Sequence, residues 1–173
     1  SPVDLPVMLL GVENWMGSLL FDAAAAQALL ERSAAFCEAF GNRMLSAGAT
    51  VLAFTANFAN PGMMPRQTIE TTLLPVLSAW ASRIQGPLVL HHGGFQLAPH
   101  LDLLKGLPHV TGYVLDARDH QAEGRRRLGE TPLLLGGLDG PSLDRFPPET
   151  LDQHCREILR ARQADPRFIL ASG

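Results

Sequence analysis

Short apolar runs alternate with longer stretches of helical periodicity along the whole 173-residue chain, the signature of repeated βα units around a parallel sheet. Six runs read as strands: 7–11, 50–55, 87–91, 110–115, 132–135 and 168–171. Leu88-Val89-Leu90, Leu133-Leu134-Leu135 and Phe168-Ile169-Leu170 are apolar without alternation, as strands buried on both faces must be. Between them, residues 23–47 place Ala26, Leu29, Leu30, Ala34, Phe36, Cys37, Phe40 and Met44 at helical spacing and stop before Gly48, a common helix terminator. Shorter helices are predicted over 68–84, 99–104, 121–128 and 148–162, the last opening on Pro148 and Glu149 as a first helical turn does.

Six strands with five intervening helices fit an open doubly wound sheet or most of an eight-fold barrel, and periodicity does not separate the two. A complete barrel needs about 250 residues, so the barrel reading makes the chain incomplete by about two βα units, with strands three to eight present. An unclosed barrel has two strand edges that invite pairing, so association with a second copy or a missing fragment is expected. The length and a composition of 46% hydrophobic and 18% charged residues suit one domain over 1–173.

Charge and cysteine content narrow the function. A formal charge of -3 with scattered Lys and Arg offers no basic stripe for nucleic acid; the run Arg125-Arg126-Arg127 reads as a solvated helix end. No run reaches the ~20 apolar residues of a membrane span, and the start Ser1-Pro2-Val3-Asp4 lacks the basic residues of a signal peptide, so a cytoplasmic location is expected. Cys37 and Cys155 lie in helical patterns and not in a CxxC pair, which reads as packing.

In either architecture ligands bind beyond the carboxyl ends of the strands. There the sequence places Glu13 and Asn14, then Asn57 and Asn60, then His91-His92-Gly93-Gly94, then Asp116 and Arg118, and finally Gly136 to Pro141 with Asp139. His91, closing a strand ahead of two glycines that let a ligand approach, can serve as acid, base, metal ligand or donor to a carboxylate, while strand alternation turns His92 the other way. Asp116 and Asp139 either hold donors on a ligand or cap the following helices. His91, Asp116 and Asp139 are therefore the candidate catalytic residues, and Glu13, Asn14, Asn57, Asn60 and Gly94 the candidate ligand-binding ones. Met63 and Met64 follow Asn60-Pro61-Gly62 and either face an apolar ligand at the mouth or pack beneath the loop.

The order Leu10-Gly11-Val12-Glu13-Asn14-Trp15-Met16, Ala47-Gly48-Ala49, Leu90-His91-His92-Gly93-Gly94, Leu115-Asp116, Gly136-Gly137-Leu138-Asp139 and Phe168-Ile169-Leu170-Ala171-Ser172-Gly173 resembles the uroporphyrinogen decarboxylase superfamily. The opening segment is closer to its methylcobalamin:coenzyme M methyltransferase branch. The resemblance implies a TIM-type (β/α) barrel and a corrinoid-linked methyltransferase that moves a methyl group to a thiol or related acceptor, with a corrinoid protein as possible partner. Zinc, in that branch held by a His-x-Cys-Gly motif and a later cysteine, activates the thiol as thiolate. Of these ligands His91 is matched, as is the motif's glycine by Gly94, but Gly93 stands in the cysteine's place. The alternatives are a decarboxylase acting on a tetrapyrrole carboxylate, as in porphyrin and haem biosynthesis, and a non-catalytic barrel subunit binding a tetrapyrrole or a partner.

Overall fold

The computed structural model describes residues 1–172; Gly173, the last residue of the motif at the end of the chain, lies outside the described residues. Three helices come first, α1 (Leu5–Leu10), α2 (Val12–Phe21) and α3 (Ala23–Ser46), followed by β1 (Leu52–Thr55). Arg66–Thr68 (α4), a π-helical turn at Ile69–Leu73 and α5 (Leu74–Ala81) lead to β2 (Leu88–His91). A 3-10 turn at Ala98–His100 and α6 (Leu101–Leu104) lead to β3 (Val110–Val114), α7 (Gln121–Leu128) to β4 (Leu133–Leu138), and α8 (Pro148–Arg162) to β5 (Phe168–Ser172).

The five strands form one sheet in the order β1-β2-β3-β4-β5, and every neighbouring pair is parallel. A doubly wound sheet reverses its strand order at a switch point; this one never does. It is a singly wound arc of the (β/α)-barrel type, in which right-handed crossovers put the helices on one face. On that face Phe54 meets Trp80 edge to face at 5.1 Å between ring centroids. The buried Tyr113 donates its hydroxyl to the Leu104 carbonyl, and Leu88, Leu90, Leu101 and Leu134 complete the buried layer. The register Thr55, His91, Val114 across β1, β2 and β3 carries His91 on the opposite, inner face.

Residues 7–11 are not a strand. They belong largely to α1, which has a proline in its first turn. Leu and Met favour helix more than β-branched residues do, and a short apolar run has no periodicity to decide between the two. Tertiary contacts hold the segment across the end of β1. The buried Asp4 carboxylate accepts from Thr55 Oγ1 at 2.7 Å, the Phe58 N–H at 3.1 Å and the Asn57 N–H at 3.2 Å. The sheet therefore has five strands where six were expected. The predicted helix over 68–84 is likewise broken by the π turn just ahead of Pro75, whose missing N–H a continuous α-helix cannot accommodate.

The arc leaves one edge of β1 and one of β5 unpaired among the described strands. The first three helices, which precede β1, expose large apolar side chains, Met8 at 81% and Phe21 at 88%, with Phe36, Phe40 and Met44 along α3. Among the described residues no helix is long and apolar enough to cross a membrane.

Candidate functional site

At the carboxyl ends of β2, β3 and β4 a cleft of about 490 Å³ is lined by His91, His92, Gly94, Asp116, Arg118, Asp139 and Pro141. All three candidate catalytic residues, with Gly94, thus meet in one place. His91 closes its strand and Asp116 and Asp139 sit on the loops leaving two others, as barrel sites are built.

His91 is the last residue of β2, and its Nδ1 accepts the Gly93 N–H at 3.0 Å. His92 repeats the arrangement with the Gly94 N–H at 2.9 Å. Gly93 and Gly94 both have positive φ, +65° and +92°; this left-handed backbone folds the turn back under the rings. Alternation holds only inside a strand, so His92 does not point away as expected: the two rings stack, 4.4 Å between centroids and 23° apart in plane. Burial lowers both imidazoles below their ordinary value, with the neighbouring His92 adding to the shift at His91. For His92 that effect outweighs the opposing pull of Asp116 and Asp119.

Asp116 caps no helix. Its Oδ1 accepts from Arg118 Nε at 2.6 Å and from the Arg118 N–H at 2.8 Å, and its Oδ2 from Arg118 Nη2 at 2.9 Å. This two-pronged pairing holds the carboxyl below the usual carboxylate range against the effect of burial. Arg118 Nη2 also donates to the Gly94 carbonyl at 2.9 Å, tying the β3 loop to the histidine turn. Asp119 fixes the loops from beneath, accepting from the Leu97, Ala98 and Asp116 N–H groups. Asp139 leaves β4 toward a 3-10 turn at Gly140–Arg145 and is engaged by the Ser142 hydroxyl.

The other candidates lie apart from the cleft. Because 7–11 is helical, Glu13 and Asn14 sit exposed on α2, where the Asn14 amide donates to the Leu10 carbonyl of its own helix. Asn60 is buried and organises a turn, its Oδ1 accepting the Gly62 N–H at 2.8 Å. Met64 packs in the core beneath this loop. Asn57 opens a 3-10 turn after β1, and its buried Oδ1 has no hydrogen-bond partner. That oxygen lies 1.8 Å from where a Cβ at Gly93 would stand.

Stability should follow the histidines below neutral pH. An unfolded imidazole takes up its proton near about 6.5 and the folded ones lower, so the unfolded state binds protons first and stability falls as pH drops through that value. Thermal midpoints between pH 7.5 and 5 should decline, and less steeply in His92→Phe; parallel curves would show that His92 is not the titrating group.

The uroporphyrinogen decarboxylase (URO-D) family model matches residues 1–173, and the chain belongs to that family. Two methylcobamide:CoM methyltransferases MtaA of Methanosarcina barkeri, one from strain Fusaro, are 27% and 28% identical to it over 145 residues. These alignments cover 82% of this chain and 41% of each relative, so the chain spans about two fifths of their length. A methyltransferase from Methanosarcina mazei superimposes on all of this chain with a TM-score of 0.85, at 20% identity and over 51% of its own length. This likeness shows the fold.

Zinc does not fit the residues present. Among the described residues no three His, Cys, Asp or Glu side chains come together as a metal site. Gly93, in the place of the motif's cysteine, has its side-chain space filled by Asn57 Oδ1.

Proposed function

We propose that the chain carries the methyl-acceptor end of a methyltransferase, with His91 and Arg118 facing a thiol or related acceptor in the cleft. The observation that carries this reading is the convergence of His91, Arg118, Asp116 and Asp139 at the carboxyl ends of three consecutive strands. The methyltransferase names of its relatives support it. In such a reaction the acceptor sulfur loses its proton to solvent and forms the new S–CH₃ bond as the donor's bond to the methyl group breaks. A methylated corrinoid, reaching the cleft from the open inner face, is the donor class. Arg118, fixed by Asp116, supplies positive charge where sulfur is anionic, and hydrogen bonding to the charged form favours it. The unpaired edges of β1 and β5, with exposed Phe40 beside β1, support association with a second copy or a further βα segment.

Purified chain supplied with methylcobalamin and 2-mercaptoethanol should form the methyl thioether, followed by mass spectrometry. His91→Ala should slow this roughly 100-fold, the scale of one positioned catalytic group, with little change in thermal midpoint. Thioether formation at an unchanged rate in His91→Ala overturns the site assignment. None from the wild type overturns the methyl-transfer reading in favour of a binding role.

A further inference from the structure

We propose that the turn from His91 to Gly94 is a metal-free site for a singly charged thiolate, held by N–H groups of His91 and Arg118. The choice of sulfur rests on the methyl-transfer reading; the proton positions and the lack of a metal do not.

Two backbone donors fix where the ring protons sit. A ring nitrogen that accepts a hydrogen bond carries no proton, so a neutral imidazole with Nδ1 as acceptor has its proton on Nε2. Gly93 N–H imposes this on His91 and Gly94 N–H on His92. His92 Nδ1 also lies 3.3 Å from Asp116 Oδ2, but one nitrogen cannot both accept from Gly94 and donate to Asp116. The shorter, backbone-fixed contact decides, since both Asp116 oxygens already accept from Arg118. A histidine that binds a metal through Nε2 has the reverse arrangement, with Nδ1–H donating to a carboxylate or carbonyl. At His91 that would set one N–H against another across 3.0 Å.

The same protonation makes His91 a donor. Its Nε2 has no hydrogen bond within the described residues and is not among the buried unpartnered atoms, and the ring borders the cleft. Arg118 spends Nε and Nη2 on Asp116 and the Gly94 carbonyl, leaving Nη1 without a partner in the described chain. N–H groups at His91 Nε2 and Arg118 Nη1, the latter cationic, are thus left for an acceptor atom on two residues that line the cleft. Asp139 limits the ligand's charge: its carboxylate lines the same cleft as Arg118 and repels a second anionic group. A monoanionic thiolate suits this balance better than a polycarboxylate does.

Long-range ¹H–¹⁵N spectra of the labelled wild-type chain at pH 7 should show, for both histidines, a protonated Nε2 and a bare Nδ1. Addition of 2-mercaptoethanol should shift the His91 Nε2 resonance saturably, whereas succinate should not. Zinc chloride titrated by calorimetry should give no saturable binding. The proposal is overturned by a proton on His91 Nδ1, by no response to the thiol, by an equal response to succinate, or by one-to-one zinc binding that His91→Ala abolishes. Absent methyl transfer with these signatures intact would remove only the functional reading.

Discussion

Gly93→Cys is expected to destabilise the chain by about 3 kcal/mol, the sum of two penalties. A non-glycine residue at φ +65° costs roughly 1–2 kcal/mol. A Cβ 1.8 Å from Asn57 Oδ1 must also displace a side chain held in a packed turn, a strain of about 1–3 kcal/mol. Only the second penalty depends on Asn57. Asn57→Ala alone should be close to neutral, because the oxygen it removes is buried without a partner and the Asn57 N–H keeps Asp4. In that background Gly93→Cys should therefore cost only about half as much, leaving a coupling of about 1–2 kcal/mol in a double-mutant cycle. Urea midpoints of the four proteins test this. An unperturbed Gly93→Cys, or equal losses in both backgrounds, would show that Asn57 does not fill the cysteine position. Placing the motif's cysteine in this chain is thus a two-residue change, so the glycine is part of the turn's packing rather than a vacancy in a zinc site.

What the sequence made legible was the arc itself. β2, β4 and β5 stood out as unbroken apolar runs, although the inner face is only partly covered and Ile169 on β5 is 44% exposed. The amphipathic α7 and α8 lie where the sequence placed them, at Gln121–Leu128 and Pro148–Arg162, because Gly129 at φ +81° and Pro148 punctuate them. Strand ends then located His91, Asp116, Asp139 and Gly94. What could not be read was every relation created by tertiary contact. The helix at 5–10 is held down by Asp4 reaching residues more than fifty positions away, and with the strand reading went Glu13 and Asn14. Sequence alternation also misplaced His92, since the turn after β2 does not continue the strand. Arg118 was visible as a strand-end residue, but its bonds to Asp116 and Gly94, which make it part of the site, depend on loops 24 residues apart meeting. Asp119 carried no signal beyond its type.

Arg125 is the residue whose role departs furthest from its sequence context, and its removal is the second change expected to be severe. Within Arg125-Arg126-Arg127 it reads as one of three solvated charges, yet its side chain and that of Asp165 are each only 16% exposed. Nε and Nη2 bind the two Asp165 oxygens at 2.8 and 3.1 Å. Nη1 donates to the Gly129 and Pro132 carbonyls at 2.9 and 2.8 Å, and Nη2 also reaches the Arg167 carbonyl at 3.3 Å. One guanidinium thereby joins the end of α7, the approach to β4 and the approach to β5. Arg125→Ala leaves a largely buried Asp165 and three carbonyls without these donors. Breaking a buried pair costs about 3–5 kcal/mol, and the remaining exposure here reduces that to about 2–3 kcal/mol. Arg125→Lys should recover little, because a single ammonium cannot reproduce the fork that spans these acceptors. Arg126→Ala, on an exposed neighbour, should stay within about 0.5 kcal/mol of wild type. Chemical denaturation of the three variants measures these differences, and Arg125→Ala matching Arg126→Ala would return Arg125 to the solvated face. If the clamp is real, hydrogen exchange in Arg125→Ala should quicken first along β5, the edge strand whose approach the guanidinium holds at the Arg167 carbonyl, while the His91 cleft on β2 keeps its protection.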